Sequence, residues 1–322
     1  MPVQKQTLFA QITEFADEIG LTNHPKLLIA FSGGADSRLL LEWALETWPT
    51  GSVSAMYFDH GLRDTSADKA LIAEIHSRIP IKIVSIDVTG DAQHNKISLE
   101  MAGRKLRYQH LLEAAKLLQV SAITTAHHFD DKVETALLRF VAGSFNGMGS
   151  IQASVTLSKD IVVFRPLLKL TKAELIRELK TREISWSEDP TNQSDDFARN
   201  QVRNQVIPQI KKINPSFEKA VGRFCDTIDE LNIFLNNQLK LVEADSKEGM
   251  CIHLTPFLIF DPFVAKSVLK LFCDQTESEP RLISKHHIHA IYKVATGKIR
   301  QTELPGHRIA KIKNNCLVII NK

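Results

Sequence analysis

The sequence predicts an α/β protein, a doubly wound parallel sheet followed by a smaller, mainly helical domain. Three observations carry that expectation. Four short runs of β-branched and apolar residues alternate with amphipathic stretches of helical length, a Gly-Gly turn joins the first run to the helix after it, and Asn214-Pro215 breaks the pattern. Parallel neighbours need crossovers long enough for a helix, and those crossovers are right-handed, so β-α-β alternation implies one open parallel sheet.

The N-terminal MPVQKQTLFAQITEF reads as an amphipathic helix without the apolar core and cleavage site of a secretory leader. KLLIAF (26–31), VSAMYF (53–58), IKIVSIDV (81–88) and SAITTA (121–126) then read as four buried strands. Asp36 to Thr47, Ser66 to Ile79 and Leu99 to Leu118 read as the helices between them. Ligands in such sheets bind beyond the carboxyl ends of the strands, so chemistry is expected in the loops after Phe31, Phe58 and Ala126. After Phe164, RPLLKLTKAEL places a turn at Arg165-Pro166 and a helix opened by Thr171 with Glu174 three residues on, a capping box. SEDPTNQSDDFARN reads as a long loop entering a basic helix from about Asn200. Proline disfavours helix in the residue before it, so the domain boundary is drawn at Asn214-Pro215, giving domains 1–214 and 215–322. Residues 216–242 read as helix, and the C-terminal GHRIAKIKNNCLVIINK as a small hairpin turning at Asn314-Asn315.

An apolar share of 43 % with 24 % charged residues suits a packed globular chain and excludes wholesale disorder. No run approaches the roughly 20 apolar residues that span a bilayer, so the expected location is the cytoplasm, with no membrane partner. The four cysteines (Cys225, Cys251, Cys273, Cys316) include no CxxC pair, which argues against a zinc ribbon, an iron–sulfur site or a catalytic disulfide. Charge is unevenly spread. Residues 199–223 carry six Lys/Arg against Glu218, residues 224–280 four against ten acids, and residues 281–322 nine against Glu303. Two basic segments flanking an acidic one point to a polyanionic partner, with Arg203, Lys211, Lys212, Arg300, Arg308 and Lys311 as candidate RNA contacts; a plain solvated surface is the alternative. His286-His287-x-His289 lies in this basic stretch without nearby acids or cysteines, and reads as surface rather than as a metal site.

The strongest local motif is Ser32-Gly33-Gly34-Ala35-Asp36-Ser37, directly after a strand and opening a helix. Glycines allow positive φ and close approach, and free N–H groups at a helix start attract an anion, so a phosphate fits here. The loop is neither GxxxxGK[ST] nor GxGxxG. Thr125-Ala126-His127-His128-Phe129-Asp130-Asp131-Lys132-Val133-Glu134-Thr135 follows the fourth strand. Asp130 and Glu134 (i, i+4), like Asp131 and Glu134 (i, i+3), are neighbours on a helix surface.

SGGxDS resembles the loop of the PP-loop ATP-pyrophosphatases, whose fold is the adenine nucleotide alpha hydrolase type. AHHxDDxxET resembles a signature shared by tRNA(Ile)-lysidine synthases and one class of tRNA thiolases; those thiolases carry CxxC cysteines that this chain lacks. FDHGLR (58–63), Glu100 with Arg104-Lys105-Leu106-Arg107-Tyr108, and DPTN followed by Arg199-Asn200-Gln201-Val202-Arg203 also resemble the lysidine synthases. The match covers about residues 27–210, and the remainder suggests the family's short form. Arg38, Ala142, Phe145 and Gln201 depart from the family's usual pattern.

The resemblance implies a two-step ligation. The C2 oxygen of the wobble cytidine in the CAU anticodon of tRNA(Ile) attacks the α-phosphate of ATP and releases pyrophosphate. The ε-amine of L-lysine then attacks C2 and expels AMP, giving lysidine and changing the codon read from AUG to AUA. It further implies that Ser32, Gly33, Gly34, Ala35, Asp36 and Ser37 bind ATP, that Asp36 and Asp131 hold Mg²⁺, and that Asp131 and Glu134 bind the lysine ammonium. Asp36, Asp131, His127, Arg107 and Arg199 are the catalytic candidates. A tRNA thiolase and a non-catalytic RNA-binding protein that senses nucleotide stay as alternatives, and a homodimer is left open.

Overall fold

The computed structural model describes residues 6–59, 66–143, 151–187, 198–246, 249–276 and 283–322. His60 to Arg63 of FDHGLR, Phe145, the DPTN stretch at 189–192 and Arg281 lie outside the described residues. The described chain forms two compact units that divide between Arg223 and Phe224.

The first unit runs through α1 (Leu8–Glu18), β1 (Leu27–Phe31), α2 (Ala35–Thr47), β2 (Val53–Asp59), α3 (Ser66–His76), β3 (Ile81–Ser85), α4 (Val88–Asn95) and α5 (Leu99–Leu117). It continues with β4 (Ala122–Thr124), α6 (Phe129–Val141), β5 (Ser154–Ser158), β6 (Ile161–Phe164), α7 (Lys172–Thr181), α8 (Ala198–Gln201) and α9 (Ile207–Ile213). Its six-stranded sheet has the order β3-β2-β1-β4-β6-β5, parallel except for β5. Alternate side chains of each strand enter two cores. Leu27, Ile29, Phe31 and Tyr57 pack with α1, α2 and α7 on one face, while Leu28, Met56, Ile123 and Val163 pack with α4 and α5 on the other. The sheet is therefore doubly wound, as the alternation of runs predicts.

The third strand stops at Ser85, three residues short of its expected end. Asp87 accepts from the Gly90 N–H at 2.8 Å and caps α4, so the backbone turns before Val88. The β5-β6 hairpin, which turns at Lys159-Asp160, is absent from the sequence reading. Its four-residue inner strand is too short for periodicity to separate from loop. The capping box at Thr171 and Glu174 is present: the Thr171 N–H donates to Glu174 Oε2 at 2.8 Å, and the Glu174 N–H to Thr171 Oγ1 at 3.3 Å. Arg38, one of the departures from the family pattern, is buried and pairs with Glu42 at 3.1 Å and Glu74 at 2.7 Å, tying α2 to α3.

Between α8 and α9 the helix widens to a π turn over Val202–Val206. Pro208 follows at the start of α9 and has no N–H to give to the preceding turn, so the Ile207 N–H bonds Val202 O instead. Helix α10 (Phe217–Val242) begins in this unit, where Gly222 lies so close to Phe129 that an added Cβ would meet the ring at 2.9 Å.

The second unit continues from α10 through β7 (Glu243–Ser246), β8 (Gly249–His253), α11 (Leu254–Phe257), α12 (Pro262–Thr276), α13 (Lys285–Ala295), β9 (Gln301–Leu304), β10 (Arg308–Lys313) and β11 (Cys316–Asn321). An antiparallel sheet ordered β7-β8-β11-β10-β9 shares one core with the helices, including Val268, Phe272, Ile291 and Leu317. The β10-β11 turn falls at Asn314-Asn315, both at positive φ (48° and 61°), the conformation of a two-residue type I′ hairpin that asparagine tolerates. No described helix is long and apolar enough to cross a membrane.

Candidate active site

The strand order reverses beside β1: β2 and β3 lie on one side of it, and β4 and β6 on the other. Crevices at such switch points, beyond the carboxyl ends of the strands, are where open α/β sheets take ligands. Three adjacent strands, β1, β4 and β6, feed helices α2, α6 and α7 from this edge.

After β1, Gly33 takes φ +82°, a conformation a side chain would strain, and Gly34 caps α2 without a side chain in the way. Ser37 Oγ accepts from the Ser32 N–H at 3.1 Å and donates to Gly34 O at 3.0 Å, with Ser32 Oγ also 3.1 Å away. The Ser187 N–H pins the Gly33 carbonyl at 2.9 Å. The result is a braced loop at a helix N-terminus, suited to a phosphate.

After β4, His128 is buried at the start of α6 and stands between three carboxylates. Its Nε2 lies 3.7 Å from Asp36 Oδ2 and 3.6 Å from Asp131 Oδ2, and its Nδ1 lies 3.3 Å from Asp130 Oδ2. Burial pushes the His128 pKa down, but the close contact with Asp130 and the charges of Asp131, Asp36 and Asp130 outweigh it and leave the value raised. Asp130 and Asp131 are themselves held below the usual carboxylate range; burial opposes this, and His128 leads the causes that overcome it, joined by the Lys172 N–H for Asp130 and Arg199 for Asp131.

Every acid of the group is met by a cation. Lys172 Nζ spans both oxygens of Asp36 at 2.6 and 2.7 Å, while its backbone N–H donates to Asp130 Oδ2 at 2.8 Å. Arg199 reaches Glu134 Oε2 at 2.8 Å and Asp131 Oδ1 at 2.9 Å. Arg203 donates to Glu134 Oε1 and Oε2 at 2.6 and 3.0 Å. Glu134 is only 1 % exposed, so both of its oxygens are spent on these arginines. The π turn between α8 and α9 lies within this arginine pair's helix, at the point where Arg203 leaves it.

His127 differs sharply from its neighbour. Its Nδ1 is 2.8 Å from Thr125 Oγ1. Burial, opposed by Asp131 and reinforced by Arg165, Arg104 and Arg199, drives its pKa down to about 3, so the ring is neutral at ordinary pH. Arg165 is buried; its Nη2 donates to the Tyr108 hydroxyl at 3.2 Å, its Nη1 to Gln152 O at 2.6 Å, and its Nε has no partner among the described residues. Arg104 covers the Tyr108 ring at 4.8 Å. Among the described residues no carboxylate pairs with Arg104, Arg107 or Arg165, and burial lowers the Arg107 pKa.

Asp36, Asp131, Glu134 and Arg199 thus form one bonded group with the phosphate loop at their edge. Arg203, read from the sequence as an RNA contact, belongs to this group. Lys172, His128 and Arg165 were missed. His128 lies in a motif whose acids carry the clearer chemical signal, and Lys172 and Arg165 follow the end of IVVF, a strand too short to show a period in sequence. Of the remaining RNA candidates, Lys211 pairs with Glu218 at 2.9 Å, Lys212 bonds Gln209 at 3.0 Å, and Arg308 donates to Pro305 O at 3.1 Å. Arg300 is exposed and Lys311 half-buried. In the histidine cluster, the Ser284 N–H donates to His287 Nδ1 at 3.0 Å.

A family model described as a PP-loop domain matches residues 4–210. The chain is 32 % identical over 256 residues to a tRNA(Ile)-lysidine synthase of Thermosipho africanus, covering 78 % of this chain and 59 % of that protein. It is 31 % identical over 257 residues to a tRNA(Ile)-lysidine synthase of Petrotoga mobilis, covering 74 % and 81 %. A bifunctional protein TilS/HprT of Listeria monocytogenes is 33 % identical over 211 residues, 64 % of this chain and 32 % of that one. The chain therefore spans less than two thirds of two of these three relatives. Among solved structures, a U34-tRNA thiolase from Methanococcus maripaludis with its [4Fe-4S] cluster superposes with a TM-score of 0.56 at 16 % identity, covering 68 % of this chain and 78 % of that one, a likeness of fold.

Proposed function

Because the chain belongs to the PP-loop domain family and, within it, to the tRNA(Ile)-lysidine synthases, we propose that it ligates L-lysine to C2 of the wobble cytidine in the CAU anticodon of tRNA(Ile), through an adenylated tRNA. The observation that carries the reading is the junction of a braced phosphate loop with the charge-paired Asp36, Asp131, Glu134 and Arg199 at one switch point.

In this reading Ser32, Gly33, Gly34, Ala35 and Ser37 hold the phosphates of ATP through N–H and hydroxyl groups, while the cytidine C2 oxygen attacks the α-phosphate and pyrophosphate leaves on the loop. Asp36 and Asp131 both lie within 3.7 Å of His128 Nε2 and are thus neighbours beside the loop, the hard oxygen donors that would hold Mg²⁺ together with phosphate oxygens. When bound, Mg²⁺ neutralises charge on the phosphates. Arg199, oriented by Asp131 and Glu134, and Arg107, with no acid bonded to it among the described residues, supply fixed positive charge for the transferring phosphate or the lysine carboxylate. In the second step the neutral lysine amine attacks C2, AMP departs and the amine's proton passes to solvent, while His127, too weak a base with a pKa of about 3 to take it, hydrogen-bonds the nucleotide as a neutral ring. Asp131 meets the incoming ammonium before it deprotonates. Glu134, read from the sequence as a second ammonium ligand, holds Arg199 and Arg203 instead. The basic face of the second unit, with Arg300 and Lys311, binds tRNA in the cytoplasm.

The test is nucleoside mass analysis of tRNA(Ile) after incubation with ATP, Mg²⁺ and isotopically labelled lysine. Lysidine carrying the label is expected, with AMP and pyrophosphate in equal amounts. Thiolated nucleoside, or nucleotide binding with no modified base, would replace the proposal by one of its two rivals.

A further inference from the structure

A lysine is out of place at the first position of a helix, where the N–H groups already present partial positive charge. Lys172 stands there on α7, with its root fixed on both sides. Its own N–H is bonded to Asp130 of α6 at 2.8 Å, and the Thr171-Glu174 capping box closes the turn around it. Only the side chain is free to move, and it is 39 % exposed. The ammonium grips both oxygens of Asp36, at 2.6 and 2.7 Å, and Asp36 is the acid of the phosphate loop.

The two arginines of the group differ in kind from Lys172. Arg199 and Arg203 each make two bonds to carboxylates through rigid planar forks, and Glu134 between them is sealed from solvent. Lysine is a point charge on a flexible four-carbon stem, so of the three cations Lys172 is the one whose charge swings without dismantling the group. A dication that takes Asp36 must displace that ammonium. The displaced ammonium, tethered beside the N-terminus of α2, stays within a side-chain length of any phosphate seated there.

We propose that Lys172 is a tethered placeholder cation: it occupies Asp36 while no nucleotide is bound, gives way when a divalent cation enters with ATP, and then pairs with the phosphate oxygens on the loop. Lys172 thereby makes metal entry depend on the nucleotide, since the cation gains Asp36 only when the ammonium has phosphate to move to. The proposal rests on the reading that Asp36 takes the metal.

The experiment uses the full-length protein and Mn²⁺ as the probe, with free Mn²⁺ followed by electron paramagnetic resonance, with and without a non-hydrolysable ATP analogue. Lys172→Met is expected to tighten nucleotide-free Mn²⁺ binding about tenfold, by removing a unit charge that competes at the same carboxylate. Its binding with the analogue should weaken, because phosphate loses a cation. Lys172→Gln, a second neutral variant checked for native circular dichroism, should behave alike, and Lys172→Arg should keep nucleotide-free binding weak. Unchanged or weaker nucleotide-free binding in the folded neutral variants would overturn the placeholder role. If Asp36→Asn binds Mn²⁺ with the analogue as well as the parent does, the metal assignment itself fails, and the placeholder role with it. Loss of that binding in Asp36→Asn, with no gain in Lys172→Met, would sink only the inference about Lys172.

Discussion

Glu134→Gln separates two readings of one carboxylate. If Glu134 binds the lysine ammonium, its loss harms only the second step. The structure supports a different task, since both oxygens accept from Arg199 and Arg203 at 2.6 to 3.0 Å and the residue is 1 % exposed. Glutamine keeps the volume but withdraws the charge and turns an NH₂ group towards a guanidinium. Removing one partner of a buried ion pair costs about 3–5 kcal/mol. Here the arginine side chains are 28 % and 38 % exposed, so water recovers part of the loss, and about 2–4 kcal/mol is expected. For a unit of this size each kcal/mol moves the melting temperature by roughly 2–4 °C, so the variant should melt roughly 5–15 °C lower. Calorimetry on the full chain measures this, with Arg203→Met and the double variant closing a cycle in which the double loss is smaller than the sum. Adenylation should fall together with lysine transfer, because Arg199 loses its brace. A melting temperature within 2 °C of the parent, joined to a raised lysine KM and accumulating adenylated tRNA, would refute the argument and return Glu134 to the substrate.

Asp36→Asn and Asp131→Asn should each abolish tRNA-dependent pyrophosphate release while tRNA affinity in filter binding stays near that of the parent; full release from either would remove it from the proposed metal site. His127 titrates near 6.5 when unfolded but only near 3 when folded, so the unfolded chain holds more protons between these values and stability falls as pH drops through that window, by up to about 1.4 kcal/mol per pH unit. Urea unfolding of His127→Gln should therefore show a smaller loss than the parent between pH 7 and pH 5.5, and identical losses would contradict the depressed pKa. Replacing Arg300 and Lys311 by glutamine in the full chain should weaken tRNA binding and flatten its salt dependence by about 0.7–0.9 in log–log slope per lost phosphate contact, with ATP affinity unchanged. An unaltered slope would mark that face as merely solvated.

Much of the fold was legible because its signals are local. The glycines at 33 and 34, the Thr171-Glu174 box and the asparagine pair at 314 and 315 each dictate backbone geometry over a few residues, and each stands where the sequence puts it. The β5-β6 hairpin was not legible, because β6 is four residues long and gains its place only by pairing with β4 across about forty residues of chain. That omission propagated to the site. The acids were found, since they sit on the phosphate loop and on a recognisable signature, but Lys172 and Arg165 follow the unrecognised strand. Pairing choices were hidden for a further reason. Sequence spacing shows that Asp131 and Glu134 are neighbours, not that Arg199 and Arg203 reach them from a helix more than sixty residues away.

The charges at the edge of the sheet explain how so acidic a cluster can receive a polyanion. Asp36, Asp130 and Asp131 lie in the first turns of α2 and α6, where carboxylates are stabilised by the helix ends, so local structure favours gathering them there. Left alone, together with Glu134, they would repel a triphosphate. Lys172, Arg199 and Arg203 offset three of these four acids, and His128, whose hold on a proton is strengthened, stands among them, so most of the negative charge is met before any ligand arrives. Arg104 and Arg165 have no carboxylate partner among the described residues, and with Arg199 they tip the field around His127 towards positive. Burial, reinforced by these arginines, keeps His127 deprotonated, while His128, one residue on and surrounded by acids, holds its proton more tightly than usual. Two adjacent histidines are thereby shifted in opposite directions, His128 up by the carboxylates around it and His127 down by burial beside the arginines. Substituting the arginines should accordingly raise the His127 pKa, while neutralising Asp36 or Asp130 should lower that of His128, and NMR titration of the two rings reads both shifts in one experiment.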